Sequence, residues 1–184
     1  MEPKLENNLE TDRLFLEPLR RDHARLLFTA LSDSNIYSFI PGDPPPSISE
    51  LEARFELLES RISPDGHERW LNWAVRLKVD AIYIGIVQAT IEETPRARLA
   101  YLLSSDFRGM GYATEACWRV VESLHSDHGV VEVFAEVDTR NEASWRLLER
   151  LSFERTMTKE RADFFKGSYS DEYLYRLDLK SGAA

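Results

Sequence analysis

Two glycines one residue apart, in Arg108-Gly109-Met110-Gly111, are the residues whose type and spacing point most directly to chemistry. They follow an apolar run with strand propensity, Leu99 to Leu103, and lead into a helical pattern that begins near Tyr112. Glycine adopts the positive φ angles of a tight turn and lets backbone N–H groups come close to a bound group. The first N–H groups of a helix have no intrahelical partners, and the aligned peptide dipoles leave that end positive. Strand, glycine loop and helix N-terminus in this order make a cradle for an anion, so a phosphate or pyrophosphate is the expected guest. The same glycines would also serve a strand-to-helix turn for steric reasons alone. A triphosphate loop needs Gly-Lys-Ser/Thr and a dinucleotide fingerprint needs a third glycine, and neither is present.

The elements around this loop follow from hydrophobic period and punctuation. Ala113, Ala116/Cys117, Val120 and Leu124 recur at the spacing of a core-facing stripe, giving a helix to about His125. Upstream, Leu14-Phe15-Leu16 reads as a strand closed by Pro18, and Asp22 as the N-cap of a helix through about Leu31. Pro41-Gly42-Asp43-Pro44-Pro45-Pro46 can form neither a helix nor a central strand, and serves as a connector or a loop beside a site. Ser49 with Glu52 approximates a capping box before a helix carrying Leu51, Phe55, Leu58 and Ile62, which Ser63-Pro64-Asp65-Gly66 ends.

Trp70–Leu77 and Tyr83–Ile91 read as strands joined by a hairpin through Lys78-Val79-Asp80, with Gly85 marking a bulge or close packing. Val130–Val137 is a strand, Glu142–Leu151 a helix, and Phe153–Asp163 with Tyr173–Leu179 a terminal hairpin turning near Lys166-Gly167. The order β-α-α-β-β-β-α-β-α-β-β runs from an antiparallel meander into a βαβ crossover, which predicts an α+β layer fold around one mixed sheet.

The chain has 184 residues, 43% hydrophobic and 30% charged, the size and composition of one globular domain. Its 23 Lys+Arg against 32 Asp+Glu give a formal charge of -9, which argues against a nucleic-acid partner. The acidic surface would draw in a cationic or amine-bearing substrate, or serve solubility only. The single cysteine, Cys117, rules out an internal disulfide and lies on the helix stripe as a small buried thiol. The four histidines show no metal-ligand spacing, so no metal site is expected. No apolar run approaches the roughly 18 residues of a membrane span, and the chain is read as cytoplasmic, with no membrane partner.

In Arg108-Gly-Met-Gly-Tyr-Ala-Thr-Glu-Ala116, in Asn141-Glu-Ala-Ser144 and in Leu148-Glu-Arg-Leu-Ser-Phe153 the chain resembles the Gcn5-related N-acetyltransferases (GNAT). The resemblance is strongest to the branch that acetylates N-termini of ribosomal proteins, and it runs from Leu9-Glu-Thr-Asp-Arg-Leu-Phe-Leu to Asp171-Glu-Tyr-Leu-Tyr-Arg-Leu. It implies one acetyltransferase domain over 1–184, with its core at 9–179, short flexible termini, and a mixed, mainly antiparallel sheet of about seven strands flanked by helices. The family's fourth and fifth strands, here about Leu99–Leu103 and Val130–Val137, would splay apart. Acetyl-coenzyme A would lie along Leu102, Leu103, Ser104, Arg108, Gly109, Met110, Gly111, Tyr112, Ala113 and Thr114, with backbone N–H groups near Leu102 to Ser104 polarising the acetyl carbonyl. Asn141 would cap its helix and meet the pantetheine.

Transfer to an amine removes a proton from the nucleophile and returns one to the coenzyme thiolate. Position by position, the resemblance implies Ser144 beside the sulfur and Asp163 as the carboxylate acting through water. Other readings compete: Ser144 as a capping hydroxyl, Asp163 as a solvated carboxylate, and Glu136, Asp138 or Glu115 as the working base. Tyr101 and Trp73 are candidates for an acceptor cleft, with core packing the default for strand aromatics. Three positions depart from the family pattern: Asp106, where Gln or Arg is usual and Arg108 would compensate, Leu148 in place of a tyrosine, and Ser152 in place of a glycine. The implied acceptor is a protein N-terminus. A small amine and a catalytically silent acyl-coenzyme A-binding module are the alternatives, and monomer and homodimer stay open.

Overall fold

The structure, a computed structural model, describes residues 7–180. In chain order it contains β1 (Leu9–Glu10), β2 (Leu14–Pro18), α1 (His23–Leu31), a 3-10 turn (Ser34–Tyr37), α2 (Ile48–Glu59), β3 (Arg69–Leu77), β4 (Tyr83–Ile91) and β5 (Arg96–Leu103). A second 3-10 turn (Ser105–Phe107) then precedes α3 (Tyr112–His128), β6 (Glu132–Asp138), α4 (Glu142–Arg150), β7 (Glu154–Phe165) and β8 (Ser168–Asp178). All strands join one sheet in the order β1-β2-β3-β4-β5-β6-β8-β7, antiparallel except where β5 meets β6. This is the expected α+β fold. The sheet has eight strands where about seven were expected, because two-residue β1 is too short to leave a hydrophobic period.

Strand alternation divides the interior in two. Leu14, Leu16, Trp73, Val75, Val87, Leu99, Val133 and Val137 face α3 and α4, where Cys117, Val120, Leu124, Leu147 and Leu148 complete the larger core. On the opposite face Ala74 and Ile86 pack beneath Leu27, Leu31, Leu51 and Phe55 of α1 and α2, with Leu102 against them. Trp73 belongs to the first core, fully buried with its ring N–H on Asn7 O at 3.1 Å, so it lines no cleft.

Several element ends differ from the sequence reading. The N-cap of α2 is Ser47, not Ser49: its Oγ accepts from Glu50 N at 3.2 Å, which places Ile48 and Ser49 inside the first turn. The helix stops at Glu59, and Ile62 instead bridges to Arg69. Asp22 begins α1 without a side-chain capping bond. α3 runs on to His128, where Gly129 at φ 69 ends it in the left-handed conformation.

β5 and β6 are paired only over Arg96↔Glu132, Ala97↔Val133 and Arg98↔Phe134. β6 pairs with β8 along its whole length, from Glu132↔Asp178 to Asp138↔Glu172, while β5 stays with β4 up to Gly85↔Leu103. The two strands therefore part toward their C-terminal ends, as the family resemblance implied. Gly85 permits the close β4–β5 approach at this mouth: a Cβ there would lie 2.1 Å from Leu102 O.

Candidate active site

The glycine loop sits at the mouth of the split. Gly109 and Gly111 have φ 76 and 80, angles that carry a steric cost for any residue with a Cβ, and a Cβ on Gly109 would project into open space. Gly111 is the N-cap of 17-residue α3 and offers no capping side chain, so the N–H groups of Tyr112, Ala113 and Thr114 at the helix start are left for an external acceptor. Arg108, Gly109 and Met110 are exposed beside them, and Asp106 is exposed in the preceding 3-10 turn.

The loop is braced from the first strands. Arg13 donates to Met110 O at 2.9 Å and to Glu115 Oε2 at 2.6 Å, its guanidinium lies 4.5 Å from the Tyr112 ring centre, and Thr11 Oγ1 donates to Glu115 Oε1 at 2.5 Å. Burial would raise the Glu115 pKa, but the Thr11 and Arg13 donors outweigh it and hold the carboxyl ionised below its ordinary range. Glu115 is thus spent on holding the loop. On the other flank Asp33 Oδ2 accepts from Ser105 N at 2.9 Å, Oδ1 accepts from Asn35 N at 2.9 Å, and Arg108 reaches Asn35 O at 3.3 Å. The Ser105 donor, assisted by Asn35, holds the Asp33 pKa at about 2.

The strand edge beside the loop has a defined polarity. Ser104 N donates to Ile84 O at 2.9 Å, so Leu102 and Ser104 direct their backbone toward β4. By the alternation of an antiparallel ladder, Tyr101 and Leu103 direct theirs toward β6, which has moved away. Of the expected stretch Leu102 to Ser104, Leu103 therefore presents its N–H to the split. A bare helix terminus, two left-handed glycines and a strand edge with free backbone direction fit a pyrophosphate followed by an amide-bearing arm.

α4 closes one side of the split. Asn141 caps it, with Oδ1 accepting from Ser144 N at 3.2 Å. Ser144 Oγ lies 2.7 Å from Tyr101 OH, and that phenol is also 3.3 Å from Ser144 O. Burial pushes the Tyr101 phenol well above its ordinary pKa, so it stays protonated. The expected tyrosine position is occupied by Leu148, which is buried in the core. Tyr101, a candidate for the acceptor cleft, packs on the α3–α4 side with Ser144 instead.

Carboxylates gather on the other face. Asp138 pairs with Glu172, and Lys159 pairs with Glu172 from β7. Asp163 lies opposite Ser170, whose Oγ donates to Asp138 Oδ2 at 2.7 Å, so Asp163, Ser170, Asp138 and Glu172 share one side of the hairpin. Asp138 is 4% exposed; burial would raise its pKa, yet bonds from Arg140 and Ser170 hold it low, which leaves it locked as an anion. Glu172 is different: burial first, then the Glu136 charge, push it above the ordinary carboxylate range, with Asp163 and Asp138 acting in the same sense against Lys159. The sequence reading missed Glu172, because nothing in its local pattern shows that β8 sets it beside the end of β6. Ser144 and Asp163 thus stand on opposite faces of the sheet, one on the α3–α4 side and one on the open side.

The wall of the open side is a tertiary clamp. Lys166, at the hairpin turn, donates to Tyr37 O, Ile40 O and Gly42 O at 2.5, 2.9 and 3.1 Å, fixing the start of the proline-rich loop. Among the described residues no cluster of His, Cys, Asp and Glu has metal-binding geometry, and no helix is long and apolar enough to cross a membrane.

Comparison with known proteins agrees with this geometry. Residues 13–154 match the family model described as an acetyltransferase (GNAT) domain. The uncharacterized N-acetyltransferase YoaA of Bacillus subtilis (strain 168) is 23% identical over 171 residues, 92% of this chain and 95% of that protein. Among solved structures, a ribosomal-protein-S5-alanine acetyltransferase from Vibrio fischeri superimposes with TM-score 0.77 at 17% identity, covering 97% of this chain and 100% of that one. A ribosomal L7/L12 α-N-protein acetyltransferase in complex with coenzyme A superimposes with TM-score 0.82 at 17% identity, covering 95% and 99%.

Proposed function

Since this chain belongs to the GNAT acetyltransferase family, and is an N-acetyltransferase that draws on acetyl-coenzyme A, we propose that it acts as one domain in the cytoplasm on the N-terminal α-amino group of a protein, with Ser144 and Asp163 as its acid-base pair. The observation that carries this reading is their placement on opposite faces at the mouth of the split. Acetyl transfer has two proton tasks, and they belong on opposite sides of the reacting carbonyl: the amine sheds its proton where it approaches, and the sulfur accepts a hydrogen bond where it departs.

Acetyl-coenzyme A supplies an activated thioester. The N–H groups of Gly109, Gly111 and Tyr112 to Thr114 hold its diphosphate at the positive end of α3, with Arg108 beside them. Leu103 N–H polarises the acetyl carbonyl, a role in which one aimed donor contributes on the order of 100- to 1,000-fold. Asn141 fixes the first turn of α4 and with it the Ser144 hydroxyl. From the open face Asp163 accepts the proton of the incoming amine through water, and Glu136 and Glu172 add negative charge that favours an ammonium group. The ribosomal-protein acetyltransferases among the structural neighbours support a protein N-terminus as acceptor.

The test is thiol release from acetyl-coenzyme A with peptides carrying free N-termini, the same peptides blocked at the N-terminus, and small amines. Turnover with free N-termini, abolished by blocking, is the expected result. Turnover confined to small amines makes the protein a small-molecule acetyltransferase, and coenzyme binding without turnover on any amine makes it an acyl-coenzyme A-binding module.

A further inference from the structure

We propose that Tyr101 is a positioning residue for acetyl transfer, which aims the Ser144 hydroxyl proton at the departing sulfur. The inference rests on the role given to Ser144 above and adds a partner to it. The two residues are 43 positions apart in sequence, on β5 and α4, and their hydroxyl oxygens are 2.7 Å apart.

Two hydrogen-bond arrangements are open to this pair. In one, Ser144 donates to the phenol oxygen and the phenol donates to Ser144 O, 3.3 Å away, so both protons are used internally. In the other, the phenol donates to Ser144 Oγ and the Ser144 proton is released toward a third group. Rotation about the two C–O bonds interconverts them without moving a heavy atom. An acceptor on the α4 side of the split selects the second arrangement, because a developing thiolate takes a stronger hydrogen bond than a phenol oxygen does.

The step balances without charge on the pair. The amine nitrogen forms its bond to the carbonyl carbon, the carbon–sulfur bond breaks, and its electron pair goes to sulfur, which accepts a hydrogen bond from Ser144 Oγ–H and takes up its proton from solvent as coenzyme A departs. The amine proton leaves on the opposite face toward Asp163. Tyr101 keeps its proton throughout, as the burial that disfavours its phenolate requires. Without the phenol, the Ser144 hydroxyl is free to turn to a backbone carbonyl of its own first turn, the usual resort of a helical serine.

A double-mutant cycle tests the proposal, read as kcat at saturating acetyl-coenzyme A and peptide, with calorimetric Kd for coenzyme A and the melting temperature of each variant. Tyr101→Phe keeps the packed ring and is expected to lower kcat about five- to tenfold, the worth of one lost hydrogen bond, with Kd unchanged. Ser144→Ala is expected to lower kcat at least as much, and adding Tyr101→Phe to it to change kcat by less than about twofold. Equal losses from Tyr101→Phe in the wild-type and Ser144→Ala backgrounds overturn the proposal, since the Tyr101 hydroxyl then acts independently of Ser144. Wild-type kcat in Tyr101→Phe with a loss in Ser144→Ala overturns it while leaving Ser144 in place. Wild-type kcat in Ser144→Ala removes the underlying role of Ser144 and the proposal with it. Ser144→Thr, which restores a hydroxyl, is expected to regain both the rate and its sensitivity to Tyr101→Phe, and insensitivity there also overturns the proposal.

Discussion

Lys166 Nζ donates to Tyr37 O at 2.5 Å across 129 residues of sequence. With its bonds to Ile40 O and Gly42 O, this ties the tip of the terminal hairpin to the entrance of the proline-rich loop. Replacing it by Met removes three charge-assisted bonds from a partly exposed group, a cost of about 1 kcal/mol or a melting point lower by a few degrees. The clamp lies on the acceptor side, so KM for the peptide should rise several-fold with Kd for coenzyme A unchanged. Steady-state kinetics beside calorimetry separate the two, and an unchanged peptide KM removes the loop from the acceptor site.

Gly109→Val and Gly111→Val should weaken coenzyme A binding at least tenfold while the protein stays folded. Both positions have φ near +80°, where a side chain costs roughly 1–2 kcal/mol. At Gly111 the new Cβ also meets Arg13 at 3.4 Å, so this variant should melt lower than Gly109→Val, whose Cβ meets nothing within 4 Å. Unweakened binding in both variants rules the loop out as the pyrophosphate site.

Ser144→Ala and Asp163→Asn should each lower kcat by about tenfold or more, the low end for positioned acid-base groups, and leave coenzyme Kd nearly unchanged. If Asp163→Asn keeps wild-type kcat and Glu172→Gln does not, the proton acceptor is Glu172, the carboxyl whose pKa burial and Glu136 raise.

Asp33 gives an acid-stability signature. Its pKa is about 2 in the folded protein against 3.8 for the free side chain, so on acidification the unfolded chain takes up the proton first. The contribution is complete above about pH 4 and fades as pH falls toward 2. Chemical denaturation of Asp33→Ala should therefore show a stability deficit at pH 6 that shrinks below pH 4. A deficit independent of pH would mean that Asp33 acts by packing alone.

The glycine loop was readable because backbone demands left a mark on residue type: only glycine tolerates the φ of 109 and 111 without cost. The split between β5 and β6 came through family resemblance, since hydrophobic period sets which residues face a core and not where two strands stop pairing. The Lys166 clamp, the Tyr101–Ser144 contact and the place of Glu172 depend on register between distant segments, which local sequence does not encode. Ser47 and Ser49 show the limit at short range. Both satisfy a capping pattern, and only the packed positions of Leu51 and Phe55 decide between them.

Within the sheet, three ladder pairs join the β1–β5 half to the β6–β8–β7 half, and the core they share under α3 and α4 joins them again. Across that short seam the halves can breathe apart by partial opening at less than the cost of global unfolding. A ligand that hydrogen-bonds to β5 and rests on α4 spans the seam as an extra strand would, and so favours the closed form by mass action. Amide exchange in β6 and β8 should slow when coenzyme A is added, well beyond the residues it touches.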